Sequence, residues 1–394
     1  TLQEYLRHAA LNNAGLKAAF EEWKAALEAV PQAKALPDPR FTYGYFIDEV
    51  ETRIGPQKHR LGIMQVFPWF GTIQTRTDAA SAAAKAAHKR YEAKKLQLFY
   101  EVKEAFHEYV YLQRAIAIAR NNLDLVRHFE EVARTRYITA AAGHPDIIRA
   151  QVEAATLEDH LIALRELQEP IVARLNAALN RPISERLPWP ELEAHPPVQV
   201  NRVEVLALLR EQNPQLQALD FDAEVARNQI ELAKRKFYPD LGVGVDWIVT
   251  DDAAMPGVRD SGKDPVILMF SLNLPIWRKS YGAAELQAKA QSRRTAHRKR
   301  DVENTLLTRA QHVLYDLEDS GRRLRLYDEV LVPKAQELVG ASETAYSAGT
   351  VDFLSLIDAE RTLLRFRLER ERARANQQQR LAELEMLVGA ELSD

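Results

Sequence analysis

Leu241-Gly242-Val243-Gly244-Val245-Asp246-Trp247-Ile248-Val249 is the stretch that decides the fold. Successive side chains of a strand point to opposite faces. Leu241, Val243, Val245, Trp247 and Val249 therefore share one apolar face, and Gly242, Gly244 and Asp246 share a small or polar one. Pro239-Asp240 breaks the chain just before this run. A loop from Thr250 to Pro265 follows it, carrying Asp251-Asp252, Pro256-Gly257 and Asp260-Ser261-Gly262. A second run, Val266 to Leu274, sets Leu268, Phe270, Leu272 and Leu274 against Met269, Ser271 and Asn273 before stopping at Pro275-Ile276-Trp277. Each run is about nine residues, the length of a tilted strand crossing a bilayer.

Beyond this hairpin the chain reads as helical for an unusual distance. From Arg278 to about Ala348 the only proline is Pro333. At ~1.5 Å per residue, roughly 70 residues make a helix about 100 Å long, which needs a coiled-coil partner. Ala348-Gly349-Thr350 reads as a hairpin tip, and the returning helix, Val351 to about Gly389, supplies that partner.

The first half of the chain has the same order. A helical stretch, Leu2 to Val30, meets Pro37-Asp38-Pro39. A run from Arg40 to Ile47 then places Phe41, Tyr43, Tyr45 and Ile47 against Thr42, Gly44 and Asp48. The loop Asp48 to His59, with Gly55-Pro56, leads to a second run, Arg60 to Phe67, which exits through Pro68-Trp69-Phe70-Gly71. A long helix, Thr72 to Ala142, reaches a tip at Gly143-His144-Pro145, and a return helix spans Asp146 to Asn180. The alanines from Ala79 to Ala87 allow close helix approach, although high helix propensity explains them equally well.

The expected domains are a first repeat over 1–181 and a second over 201–394, whose opening helix is Arg202 to Lys236. A connector over 182–200 joins them and carries Pro182, Pro188, Pro190, Pro196 and Pro197. The fold class is mostly α with a small β part, built from long antiparallel helical hairpins.

Four strands leave two open edges and too little circumference for a barrel. In lipid an open edge strands backbone donors and acceptors, so a membrane sheet must close with other copies of itself. The alternative is a small soluble hairpin sheet capped by helices.

Composition narrows the chemistry. Charged residues make up 28% with a net charge of only -3, interspersed in sign as on solvated helix surfaces, so no nucleic-acid partner is expected. The absence of Cys removes thiol catalysis, thiolate zinc sites, disulfides and lipidation of any residue present. No apolar stretch approaches the ~18 residues of a membrane-spanning helix. Thr1-Leu2-Gln3-Glu4 opens as a capping box, so the chain reads as a mature or trimmed form.

Glu104 and His107 have the spacing of a di-iron motif, but no second copy exists. None of the ten His lies in a His-Glu-x-x-His arrangement, and Gly242-Val243-Gly244 lies within a strand and lacks a following phosphate-binding helix. Met64, Met255, Met269 and Met386 are too few for a soft-metal relay. No enzyme, cofactor or bound metal is expected.

Across its whole length the pattern resembles the TolC-type outer-membrane efflux family. The most specific matches are Pro68-Trp69-Phe70-Gly71 and the second tip from Ala345 to Glu360, Ala-Tyr-Ser-Ala-Gly-Thr-Val-Asp-Phe-Leu-Ser-Leu-Ile-Asp-Ala-Glu. The first tip, Arg136-Tyr137 through Gly143 to Gln151, is a shorter variant.

The resemblance implies a homotrimer whose strands complete a 12-stranded transmembrane β-barrel, continuous with an α-helical barrel. That barrel sits in the outer membrane and the helical body in the periplasm. The implied role is a passive export duct in a tripartite system, with a periplasmic adaptor (membrane fusion) protein and an inner-membrane pump, of heavy-metal or drug RND type, as partners.

The resemblance further implies that acidic residues beyond the tips narrow the periplasmic aperture. Asp358 and Asp146 match such positions, and Ser355 stands where a second Asp is common. Gly143, His144, Pro145, Gly349, Thr350 and Val351 would be the adaptor-contacting tips, and Pro68 and Pro275 mark the strand–helix junctions. From the residues alone, Asp358 is equally a solvated helix position. The competing readings are a soluble coiled-coil scaffold and a periplasmic adaptor protein.

Overall fold

The computed structural model describes residues 1–191 and 200–392, so Pro196 and Pro197 of the expected connector lie outside the described residues. The chain groups into two compact units, each drawing on both halves of the sequence. One comprises Thr1–Phe20, Arg90–Leu216 and Val302–Asp394; the other comprises Glu21–Lys89 and Gln217–Asp301.

In the second unit four antiparallel strands follow one another as β1 (Arg40–Thr52), β2 (Gly55–Phe67), β3 (Leu241–Thr250) and β4 (Val266–Leu272). The register pairs Phe41 with Ile63, Tyr43 with Leu61, Ile63 with Val245, and Val245 with Leu268. These residues lie on one face, and all of them except Leu61 are well exposed.

The opposite face carries Thr42, Gly62, Asp246 and Ile267 in register. There Arg60 pairs with the buried Asp246 carboxylate. Gly62 leaves room beside it, because a Cβ there would push the Asp246 carboxylate aside. The first hairpin is longer than the alternation indicated. Beyond a register shift between Tyr45 and Val50, the pairing continues as Val50 with Gln57, Glu51 with Pro56 and Thr52 with Gly55. Backbone hydrogen bonds carry these strands on where side-chain alternation has ceased.

The expected opening helices each divide in two, at an asparagine of the first unit. α1 (Leu2–Asn12) and α2 (Ala14–Lys34) meet at Asn13, and α6 (Arg202–Gln212) and α7 (Pro214–Arg235) meet at Asn213. Each asparagine caps the next helix, its Oδ1 accepting from Leu16 N at 2.9 Å or Leu216 N at 3.0 Å. Each amide also donates to the end of a return helix, Asn13 to Ala178 O at 2.9 Å and Asn213 to Leu387 O at 2.7 Å.

α3 runs unbroken over Thr72–Ile138. The first return helix is α4 (His144–Glu166) followed by α5 (Gln168–Leu179), and the second is α10 (Phe353–Val388). The expected second long helix is interrupted. α8 (Arg278–Leu326) passes through a π-turn at Tyr327–Leu331 into α9 (Val332–Ala348). Pro333 has no N–H to offer Glu329, and its ring crowds that carbonyl, so the ladder is displaced just upstream.

α10 is fixed to α3 by ion pairs as well as by apolar packing. Lys103 meets Glu385 at 2.6 Å, Arg114 meets Glu371 at 2.6 Å, and Arg372 grips Glu108 with two bonds of 2.7 and 3.0 Å while its guanidinium lies over Tyr111. No helix among the described residues is long and apolar enough to cross a membrane.

Candidate functional site at the helical tips

Both tips belong to the first unit. α3 unwinds after Ile138 and the chain turns through Ala140, which takes a left-handed conformation at φ 56°. Arg136 O accepts from Ala141 N at 2.8 Å and from Ala142 N at 3.2 Å, closing the turn. His144 and Pro145, expected as part of the tip itself, form the first turn of α4, where Pro loses no helical hydrogen bond.

The second tip closes α9 with Gly349 at φ 78°, Thr350 N donating back to Ala345 O at 3.0 Å. Asp352 caps α10, its Oδ1 accepting from Ser355 N at 2.9 Å and from Ser355 Oγ at 2.6 Å. Those bonds hold the Asp352 carboxyl below the usual range.

Arg136 joins the tips. Its guanidinium stacks over the Tyr346 ring at 4.5 Å and donates to Ala141 O at 3.1 Å. Tyr346 packs edge-on against the buried Phe353, and its hydroxyl donates to Asp146 Oδ2 of α4 at 3.2 Å. Burial, then the Asp146 charge, push the Tyr346 hydroxyl up to about 12, so it remains a donor at any neutral pH. About two turns further on, Arg361 of α10 bonds Glu153 of α4. Beneath it Glu360 accepts from the Asn122 side-chain amide of α3.

The expected aperture residues are engaged differently. Ser355 and Asp358 share an exposed face of α10, three residues apart. Asp358 is 64% exposed, with a loose contact of 3.9 Å to Arg361. Asp146 is half-buried and turned to Tyr346, with Arg149 at 3.6 Å. Val351 and Thr350 are exposed at the tip. Among the described residues no cluster of His, Asp and Glu is arranged to hold a metal; Glu104 pairs with Arg174, and His107 is buried.

Sequence reading missed the buried links Glu360–Asn122 and Arg361–Glu153. The signal for the first was present. Phe353, Leu356, Ile357, Glu360 and Leu363 fall on one helical stripe, and only one of the five is polar.

In the second unit the exit from β2 is held by side-chain contacts. Trp69 stacks on Tyr238 with ring centroids 4.9 Å apart, and its backbone N–H donates to Asp240 Oδ1 at 3.1 Å. Arg235 donates to Phe70 O, and Gly71 takes φ 75°. Pro68 and Pro275 thus stand where each strand pair gives way to a long helix. Phe70, Ile276 and Trp277 are strongly exposed there, the placement of an interfacial aromatic belt.

Comparison with known proteins agrees with this geometry. The cobalt-zinc-cadmium resistance protein CzcC of Cupriavidus metallidurans is 23% identical over 392 residues, covering 93% of this chain and 85% of that protein. Nodulation protein T of Rhizobium leguminosarum bv. trifolii is 22% identical, covering 92% and 79%. Among solved structures, the outer membrane protein VceC of Vibrio cholerae superposes with a TM-score of 0.80 at 17% identity, covering 100% of this chain and 97% of that one. The profile of the outer membrane efflux protein family matches residues 5–181 and again 205–390. With the membrane-length sheet and the paired helical hairpins, that double match makes this chain a member of the outer membrane efflux protein family, an outer-membrane channel with a periplasmic helical body.

Proposed function

We propose that the chain works as a homotrimer, a passive export duct fed from the periplasm by an adaptor protein and an inner-membrane pump. The observation that carries this reading is the sheet. Among the described residues β1 and β4 each pair on one side only, and one face is apolar and exposed along all four strands. Three copies would pair β1 of one chain with β4 of the next, closing 12 strands and leaving no edge for lipid to meet.

The chain is read as two repeats, 1–181 and 201–394, with 182–200 as the connector at the equator of the helical body. The matching asparagine caps at Asn13 and Asn213 and the two matched segments support that division. Asp358, Ser355 and Asp146 are assigned to the periplasmic aperture, where threefold symmetry repeats each Asp358 into a ring of charge. Gly143, His144, Pro145, Gly349, Thr350 and Val351 are assigned to adaptor contact, and Pro68 and Pro275 to the strand–helix junctions. Of the two implied pump classes, heavy-metal and drug, the similarity to a cobalt-zinc-cadmium resistance protein favours the metal one. The duct carries no cofactor of its own.

The test is the mass of the detergent-extracted protein after correction for bound detergent. Three chains of 44.8 kDa give about 134 kDa. A monomer that stays soluble without detergent would overturn the duct and favour a coiled-coil scaffold.

A further inference from the structure

Glu360 is 0% exposed and lies on the apolar stripe of α10. Its Oε1 accepts from Asn122 Nδ2 of α3, and its Oε2 has no hydrogen-bond partner. Asn122 is 1% exposed, and its own Oδ1 is likewise without a partner. Two orphaned acceptors therefore sit on two side chains already in contact. An ionised carboxylate offers acceptors only, so it leaves both oxygens unsatisfied. A neutral carboxyl offers one donor, and Oε2–H aimed at Oδ1 satisfies both at once. We propose that Glu360 and Asn122 form a cyclic acid–amide pair, Nδ2–H to Oε1 and Oε2–H to Oδ1, whose proton couples the packing of α10 on α3 to pH.

The surroundings agree. From α4 the facing charge is Glu153, which disfavours a second carboxylate; from α10 itself it is Arg361, already bonded to Glu153. α3 supplies the neutral Asn122 between the apolar Ala119, Leu123 and Val126. α9 supplies Glu343, paired with His128 of α3, and the Tyr346 hydroxyl, paired with Asp146 of α4. Burial first, then Glu153, push the Glu360 carboxyl up to about 8, with Arg361 opposing.

A carboxyl whose folded value lies above its ordinary 4.5 favours the packed state fully at low pH. That contribution is lost as pH rises from about 4.5 to about 8 and changes no further above it.

Two measurements on the full chain test the pair. In infrared spectra the unmodified protein should show a protonated-carboxyl C=O band at pH 6 that fades with a midpoint near 8 and is missing from Glu360→Gln. A band that has already gone by pH 5, or none at all, overturns the proposal. Hydrogen exchange of the segment 353–364 supplies the second reading, with Glu360→Gln as reference because its amide reproduces the neutral acid's donor and acceptor. Protection relative to that variant should be near unity at pH 4 and fall by up to about tenfold per unit from about pH 4.5 toward pH 8. A ratio independent of pH overturns it. Should the variant fail to fold, the band of the unmodified protein decides alone.

Discussion

Two buried glutamates on α10, Glu360 and Glu371, stand about three turns apart and are treated in opposite ways. Around Glu371 are Arg114 of α3 at 2.6 Å, with Arg370 and Arg374 of its own helix each at 2.9 Å. Burial pushes that carboxyl up, but the Arg114 hydrogen bond and the three guanidinium charges outweigh it and hold it below the usual range. Glu360 has one neutral amide, and there burial wins. The difference teaches that burial depth does not decide a carboxylate's charge; the donors facing it do. It also gives the two sites opposite pH slopes. Glu371 stabilises above its ordinary range and loses that contribution as pH falls, whereas Glu360 stabilises at low pH and loses its contribution as pH rises.

Removing the compensated carboxylate is the largest perturbation. Glu371→Leu takes the acid from Arg114, whose Nε is already without a partner, and leaves Arg370 and Arg374 only their looser contacts of 3.6 and 3.5 Å with Asp328. Breaking a buried pair from one side costs about 3 kcal/mol, so protection of segment 366–376 in hydrogen exchange should drop by about 100-fold. A drop below tenfold would show that the three arginines relax into solvent and that Glu371 is less committed than its contacts indicate.

The uncompensated site should respond with the opposite sign. Glu360→Leu combined with Asn122→Leu removes the buried acid and amide and replaces them with apolar volume on a stripe that is otherwise Phe353, Leu356, Ile357 and Leu363. At pH 7 the double variant should be more stable by about 1–3 kcal/mol, read as a higher denaturant midpoint of the detergent-solubilised protein. Glu360→Leu alone should fall short of it, because Asn122 then stays buried without a partner.

How far the sequence discloses such sites depends on separation along the chain. The strand alternation from Leu241 to Val249 and from Phe41 to Ile47 is local, and it marks the apolar face of the sheet directly. Glu360 on the core stripe was equally legible. Its partner was not, because Asn122 is 238 residues away on a helix of 67 residues with no local mark at that position. The helix breaks at Asn13 and Asn213 were missed for a related reason. Their side chains end one helix by capping the next and by reaching carbonyls 165 and 174 residues distant. The π-turn at Tyr327–Leu331 was missed as well: Pro333 stood in plain view, but the helix was expected to run through it. Of the residues proposed for the aperture, the resemblance singled out Asp146, Ser355 and Asp358, but only the side-chain contacts separate the anchored Asp146 from the largely solvated Asp358.

A smaller effect sharpens the comparison with a group that does not titrate. Tyr346→Phe keeps the ring under Arg136 and against Phe353 and removes only the bond to Asp146. It should cost about 1 kcal/mol, the usual value of one such bond. Because the hydroxyl sits at about 12, the contribution lost should be the same at pH 6 and pH 8, unlike that of Glu360. Thermal melts of the two proteins at both pH values make the check, and a difference that varies with pH would assign the link a titrating partner.

Asp358 should give the smallest change in stability. Its carboxylate is largely solvated and its contact with Arg361 is 3.9 Å, while Arg361 keeps its stronger bond to Glu153. Asp358→Asn should therefore leave the melting temperature unchanged, within the ~0.5 kcal/mol of an ordinary surface substitution. Its effect should lie in transport instead. A ring of exposed carboxylates in a narrow opening favours cations, so the neutral variant should conduct them less selectively across a planar bilayer. Asp146→Asn provides the contrast. It weakens the acceptor for Tyr346 and should lower stability, while changing selectivity less, because its carboxylate is turned to the bundle. Equal selectivity changes in the two variants would place both carboxylates on the same lumen-facing surface and remove the distinction between an anchoring aspartate and a gating one.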